Sequence, residues 1–235
     1  MRVVRGSLSG VEDDRRVTRQ LRRLTKRTEE PTLRVWTPPR QIAFGRRDST
    51  VEGYQRARRI ATEHGYKPFE RSVGGRAVAY TGSTVAFAVA VPTNDERGGI
   101  ETRYRETTSR LIRSLETVGA AVSRGEPDRS FCPGEHSIQG DGKIVGIAQR
   151  VQRDSALIGG CVIALTADEE AISNVLDPVY DALNAPFDPS SVGSVEGAGG
   201  VADVGPVIEA IESEFTHDRE KTVLSAEELF SERAP

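Results

Sequence analysis

Long apolar runs are missing from this chain. The longest, residues 85–91, is strand-sized, far short of the roughly 20 apolar residues a membrane helix needs. The opening Met1-Arg2-Val3-Val4-Arg5-Gly6 has no apolar core behind it of the kind an export signal carries. These absences predict a soluble, unexported, cytoplasmic protein with no membrane partner. Cysteine is nearly missing too. Cys132 and Cys161 are too few for a disulfide framework, so both are expected as free thiols. Lysine is scarce: Lys26, Lys67, Lys143 and Lys221 stand against 28 arginines, so each lysine departs from the default cation. The three histidines, His64, His136 and His217, lie far apart, and none has metal-ligand spacing with another His or Cys, which argues against a metal site.

What is present divides by charge. The 235 residues carry a net charge of only −3, but the part from Asp154 onward holds 17 acidic and 3 basic residues, and the part before it 18 acidic and 29 basic. Two solvated faces of opposite sign explain this as well as a basic docking surface for an acidic partner does. Nucleic acid is not expected as a partner, since the basic part has few aromatics and no recognised nucleic-acid motif.

Hydrophobic spacing predicts an N-terminal helical segment over residues 1–30, with Leu8, Val11, Val17, Leu21 and Leu24 at helical intervals and Pro31 as the stop. Strands follow at 33–36 and 41–45, then a helix at 50–64 closed by Gly65. Further strands are expected at 66–71, 76–80 and 83–91, with a turn at 72–75 and a loop at 92–99. A long helix at 100–123 comes next, then strands at 129–132 and near Ile138, and a hairpin of 143–151 with 156–165. Residues 168–183 read as a helix. Residues 186–200, rich in Pro, Gly and Ser, read as a linker to a last helix and a polar tail over 201–235, which are expected to pack on the central domain of residues 31–185. Hairpin-like neighbours outnumber β-α-β units, which predicts an α+β (or α/β) protein with a mixed sheet and flanking helices.

Several familiar motifs fail. Gly140-Asp141-Gly142-Lys143-Ile144 lacks the Ser or Thr that a phosphate-binding loop places after its lysine, and Ser137 stands where that loop needs glycine. Ser194 is not inside a G-x-S-x-G elbow. Two other segments carry chemistry. In Arg71-Ser72-Val73-Gly74-Gly75-Arg76-Ala77-Val78, a Gly-Gly pair between strands lets the backbone approach a ligand, with Arg71 and Arg76 placed to hold an anion; a plain hairpin with two surface arginines fits the same residues. In Cys132-Pro133-Gly134, followed by Gly142-Lys143-Ile144-Val145-Gly146-Ile147-Ala148-Gln149-Arg150, a thiol precedes a turn and a lysine opens an apolar strand. A cation beside such a thiol favours its reactive anion and can steady the oxyanion of an attacked carbonyl.

In this order the two segments resemble the biotin/lipoate protein ligase and octanoyltransferase superfamily, whose pattern is an R-x-x-G-G-x-A-V turn followed by a G-x-K-x-x-G-x-x-Q strand. Leu33-Arg34-Val35-Trp36, Phe44-Gly45-Arg46 and the stretch 189–195 are similar to its opening strands and C-terminal linker, so the resemblance spans roughly residues 33–215. Cys132-Pro133-Gly134 upstream of Lys143 looks most like the cysteine-dependent members that move octanoyl from the H-protein of glycine cleavage to other lipoyl domains. The chain departs from the pattern at three places: Tyr80-Thr81 stand for His-Asp after A-V, Ser83 for the Asn after Gly82, and Ser137 for an Asp shortly after C-P-G.

The resemblance implies the biotin/lipoate ligase catalytic-domain fold and an acyltransferase acting on lipoyl-domain carriers, the H-protein and the E2 subunits of 2-oxoacid dehydrogenases. It implies Cys132 as the thioester-forming nucleophile and Lys143 as the group that activates the carbonyl. Arg71, Gly74, Gly75, Arg76, Ala77, Gly146 and Gln149 are implied as substrate-binding. No cofactor is expected for this reaction. The main rival is an ATP-dependent lipoate–protein ligase, which would need ATP and Mg²⁺ but no cysteine, with Arg71 and Arg76 facing phosphate. A non-catalytic carrier-binding subunit is a further alternative. His136 is a candidate base, and Cys161, beside Gly159-Gly160, is expected to be structural.

Overall fold

The computed structural model describes residues 1–71, 74–93 and 98–232. In chain order the elements are β1 (Arg2–Arg5), α1 (Val11–Thr28), β2 (Thr32–Trp36), β3 (Gln41–Phe44), α2 (Tyr54–Glu63), β4 (Lys67–Glu70), β5 (Val78–Tyr80), β6 (Val85–Pro92) and α3 (Ile100–Thr117). They continue with β7 (Ser123–Arg124), β8 (Ile138–Gln139), β9 (Lys143–Gln152), β10 (Ser155–Val162), α4 (Thr166–Ala182), a 3₁₀ turn (Pro189–Ser191), α5 (Val204–Thr216), β11 (Thr222–Ser225) and α6 (Ala226–Ser231). Eight strands form one mixed sheet in the order β11-β1-β2-β6-β10-β9-β8-β7, and β4-β3-β5 form a second. The mixed sheet with flanking helices is the architecture expected from the sequence. No helix among the described residues is long and apolar enough to cross a membrane.

The period-2 alternation of β6 sorts the core. Val85, Phe87 and Val89 face one side with Leu111 and Leu115 of α3 and Val207, Ile211 and Phe215 of α5. Ala86, Ala88 and Ala90 face the other, where their small side chains let α1 lie close through Val17, Leu21 and Leu24. The second sheet, α2 and α4 share a third cluster built on Ile42, Phe44, Leu176, Val179 and Tyr180.

A buried ion pair fixes the start of α1. Arg34 and Asp14 are 0% and 1% exposed, with Nη2 2.5 Å from Oδ1. Trp36 Nε1 donates to the other carboxylate oxygen and the Leu8 amide to Oδ1, while Arg34 also reaches the carbonyls of Gly6 and Asp14. Charges this deep are tolerated because almost every hydrogen-bonding group of the pair is used.

The structure corrects several expectations. Residues 129–132 form no strand: Arg129 and Cys132 sit at φ 53° and 44°, in the left-handed region that breaks a pleat. The helix expected to reach residue 123 ends at Thr117, because Gly119 turns the chain at φ 92°. The helix expected from residue 50 begins at Tyr54, and residues 46–53 are turns. The first residues carry β1, inside the main sheet and parallel to both β2 and β11. β11 in turn comes from the stretch read as a polar tail, and its end carries α6, opened by a Ser225/Glu228 capping box. Residues 72–73 and 94–97, parts of the expected turn and loop, lie outside the described residues.

The stretch 186–200 is strapped to the sheet. Gly193 N donates to Lys143 O, Val195 N to Ile163 O and Glu196 N to Ala164 O. The Gly142 and Gly193 backbones come so close that a Cβ on Gly193 would lie 2.9 Å from Gly142. This strap fixes the first residue of β9, which is Lys143.

Candidate active site

Cys132 lies on the irregular segment between β7 and β8, and that segment is held from two directions. From below, Lys143 Nζ donates to the carbonyls of Phe131 (3.0 Å) and Cys132 (2.9 Å). The same ammonium meets both carboxylate oxygens of Glu126 at 2.9 and 3.0 Å. Glu126 also accepts from Gly134 N at 3.0 Å and from the Ser130 hydroxyl. From the side, the Cys132 amide donates to the Tyr180 hydroxyl at 2.7 Å, which itself donates to Ala77 O at 3.0 Å. These bonds hold Cys132 at its positive φ, a conformation that costs about 1–3 kcal/mol and persists only where the surroundings fix it.

The sulfur points at the Gly-Gly segment. Arg71 Nη2 lies 3.1 Å from Sγ and Arg76 N lies 3.4 Å from it. Arg71 Nη2 also donates to Arg76 O at 2.7 Å, so one guanidinium ties the turn to the thiol. Gly75 is the contact point. It sits at φ 92°, and a Cβ there would fall 2.7 Å from both Cys132 Sγ and Arg71 Nη2. Gly45 is equally constrained, since its Cβ would meet Gly75 O at 1.9 Å. Asp48, fully buried, braces both segments by accepting from Gly45 N and pairing with Arg76 Nη1 at 3.2 Å. Burial pushes the Asp48 carboxyl up from its ordinary value, and those two bonds pull part of the way back.

The structure therefore brings Cys132, Lys143, Arg71, Gly75, Arg76 and Ala77 into one site. Gly74 is exposed at its rim. Gly146 lies under the lysine stem, where a Cβ would stand 3.6 Å from Lys143 Cε. Gln149 is not part of it. It faces the opposite side of the sheet, with its amide groups bound to Arg103 Nε and Ile100 O of α3. His136 also turns to α3, stacked on Tyr104 at 3.9 Å between centroids. Lys143 was expected as the cation beside the thiol; that place is taken by Arg71, and the lysine holds the loop backbone. Burial pushes the Lys143 ammonium's pKa down, and Glu126 offsets part of this. Cys161 is buried in β10, and burial pushes its thiol far up. Neither arginine of the turn is free, because Arg71 is bound to the sulfur and Arg76 to Asp48. Among the described residues no group of three or more His, Cys, Asp or Glu is placed to hold a metal.

Sequence reasoning missed Glu126, Tyr180 and Asp48. Asp48 had a signal, as an acid closing the basic run Arg46-Arg47. Glu126 and Tyr180 had none locally, since their partners lie 17 and 48 residues away.

A run of small residues on one side of the sheet reaches Cys161, whose cluster Cys132 joins. Register pairs Trp36 with Ala86, Ala86 with Cys161 and Cys161 with Gly146, and in a second row Ala88 with Gly159 and Gly159 with Ala148. Directly paired residues share a face, so Gly146, Ala148, Gly159, Cys161, Ala86 and Ala88 line one side of the sheet.

A family model described as the lipoyl protein ligase A/B catalytic domain matches residues 15–216. An octanoyl-GcvH:protein N-octanoyltransferase of an Exiguobacterium species is 28% identical over 152 residues, 63% of this chain and 53% of that protein. A lipoyl-GcvH:protein N-lipoyltransferase of Listeria monocytogenes is 26% identical over 152 residues, 63% of this chain and 54% of that protein. The chain thus spans about half the length of the curated relatives it matches. A crystal structure of lipoate-protein ligase A bound with ATP superposes with a TM-score of 0.76 at 19% identity, covering 99% of this chain and 94% of that one.

Proposed function

Because the chain belongs to the lipoyl protein ligase A/B catalytic-domain family, we propose that it is an acyltransferase, moving an octanoyl or lipoyl group onto a lysine of lipoyl-domain carrier proteins through a thioester on Cys132. The observation that carries this reading is the Arg71 guanidinium 3.1 Å from the Cys132 sulfur. A cysteine held in strained backbone, with a guanidinium and a backbone N–H on its sulfur, is a constellation for nucleophilic catalysis.

In the proposed reaction the Cys132 sulfur attacks the carbonyl carbon of an acyl-lysine amide on the donor carrier. The C–N bond breaks, the donor lysine leaves as an amine carrying the thiol's proton, and the acyl group stays as a thioester. The amine of an acceptor lysine then attacks the thioester, and the sulfur is released with the proton that the amine loses. Splitting the transfer in two replaces one difficult displacement with two easier ones. Arg71 and Arg76 N–H face the charge that develops at the carbonyl. Lys143 shapes the loop in the resting state and turns one N–H from a loop carbonyl to the acyl carbonyl during reaction. Gly74, Gly75, Ala77 and Gly146 leave room for the acyl chain and the carrier backbone. The carriers are the glycine cleavage H-protein and E2 lipoyl domains, and the transfer uses no cofactor. The two relatives' names support this choice of reaction and of H-protein.

The test is the intact mass of the protein after incubation with octanoylated H-protein and no ATP. The expected result is a gain of one octanoyl group, absent in Cys132→Ser and removed by neutral hydroxylamine. No adduct overturns the cysteine mechanism for this donor. Formation of lipoyl-adenylate from lipoate, ATP and Mg²⁺ would then point to the ligase, and silence in both assays to a carrier-binding subunit.

A further inference from the structure

The chain has five tyrosines, and four use their hydroxyls within the protein. Tyr54 binds Glu70, Tyr66 donates to Ala171 O, Tyr104 accepts from Gln149 N, and Tyr180 bridges Cys132 N and Ala77 O. Tyr80, the last residue of β5, is the exception: its hydroxyl has no hydrogen-bond partner among the described residues. Buried tyrosines normally satisfy their hydroxyls within the protein; this one is left open to bond to water or to a ligand.

The position of Tyr80 narrows what that is. Its ring packs against two clusters at once, the α1-facing cluster with Trp36, Ala86 and Ala88, and the site cluster with Phe131 and Cys161, which Cys132 also joins. It therefore lies where the α1 cluster meets the cluster that Cys132 joins. It is only half-buried, so its hydroxyl is not sealed off. Burial pushes the phenol well above its ordinary value, with Cys161 adding to the rise, Arg71 opposing it and Cys132 adding to it again. The hydroxyl thus keeps its proton across neutral pH and is a donor, and the groups it senses include Arg71 and Cys132 of the candidate site.

We propose that Tyr80 is a catalytic hydrogen-bond donor whose hydroxyl binds the carbonyl oxygen of the acyl group as it joins Cys132. This rests on the thioester reading above. With the Arg71 guanidinium already at the sulfur, Tyr80 supplies a second donor for the oxyanion in both half-reactions. A neutral donor there contributes only while the carbonyl carries developing charge, so its loss lowers the rate and leaves carrier binding alone.

The experiment compares wild type with Tyr80→Phe in single-turnover acylation by octanoylated H-protein, read by intact mass. Removing a hydroxyl that bonds to nothing in the protein leaves the fold intact, so the melting temperature is expected to be unchanged. The rate of Cys132 alkylation by iodoacetamide, which has no carbonyl to cradle at the sulfur, is also expected to be unchanged. The acylation rate is expected to fall about 100-fold, the usual effect of losing one oxyanion donor. Acylation of Tyr80→Phe at the wild-type rate overturns the role of Tyr80 alone. A wild-type protein that gains no acyl group overturns the thioester reading and this proposal with it. Equal losses of acylation and alkylation would place Tyr80 in the shape of the thiol pocket and overturn a donor role.

Discussion

Arg71 Nη2 spans Cys132 Sγ, at 3.1 Å, and Arg76 O, at 2.7 Å. One nitrogen thus ties the thiol to the turn that faces it, held in place by a guanidinium whose stem starts just after β4. Arg71→Lys keeps the charge but shortens the side chain and removes the planar head group. We expect acyl-enzyme formation to fall roughly 100-fold, the low end of the range for losing one transition-state donor. The rate of mass gain with octanoylated H-protein is the measurement, and an unchanged rate removes Arg71 from the site.

The pair Lys143–Glu126 is predicted to be worth more to the fold than either group alone. Lys143 is fully buried and the Glu126 side chain is 22% exposed. Lys143→Met leaves Glu126 without its cation and frees the carbonyls of Phe131 and Cys132, an outcome expected to cost about 3 kcal/mol. Glu126→Gln together with Lys143→Met is expected to cost less than the two single changes summed. Urea denaturation of the four proteins decides it; strict additivity would show that the two groups act independently.

The small residues around the thiol predict a sharp contrast between neighbouring glycines. Gly75→Ala drives a Cβ to 2.7 Å from Cys132 Sγ at a φ of 92°, so both sulfur and backbone must move. Activity is expected to be lost, with about 1 kcal/mol or more of stability. Gly74 is exposed and its Cβ would meet nothing within 4 Å. Gly74→Ala is therefore expected to leave iodoacetamide alkylation of Cys132 at the wild-type rate. Equal damage from both would mean that the turn, not the contact at the sulfur, is the sensitive feature.

Why some of this was legible beforehand follows from what each residue must do locally. Gly75 and Lys143 stand in motifs because close approach demands glycine and because a lysine opening an apolar strand stands out in an arginine-rich chain. The alternation of β6 is visible in Val85-Ala86-Phe87-Ala88-Val89-Ala90, since the sheet is covered by large residues on one side and small ones on the other. β1 and β11 were not legible. Each is four residues long, and they pair across the chain, Arg2 with Thr222 through Arg5 with Ser225. No local pattern announces a partner that distant. Gln149 was misplaced because a motif gives sequence order and not the face: three residues beyond Gly146 along a strand lies on the opposite side.

The joint between the chain's two ends predicts a specific dependence on acid. Arg5 at the end of β1 reaches Glu212 on α5, with Nη2 2.5 Å from Oε1 and Nε 2.9 Å from Oε2. The hydrogen bonds from Arg5 hold the Glu212 carboxyl below its ordinary value, against a smaller desolvation effect, and Lys221 adds to the lowering. A carboxylate whose pKa is lower folded than unfolded stabilises the fold above the unfolded pKa, about 4.3 for glutamate. That contribution fades as pH falls through this value toward the folded one, because the unfolded state takes up the proton first and the difference is fully lost once both states carry it. Arg5 keeps 56% of its side chain exposed, so solvent screens the pair and its worth is about 1 kcal/mol. Arg5→Met is therefore expected to be less stable than wild type at pH 7, by a gap that is smaller at pH 3. Denaturant titrations of both proteins at the two pH values read the difference. A gap of the same size at pH 3 would show that Arg5 acts through packing of its stem and not through the Glu212 charge.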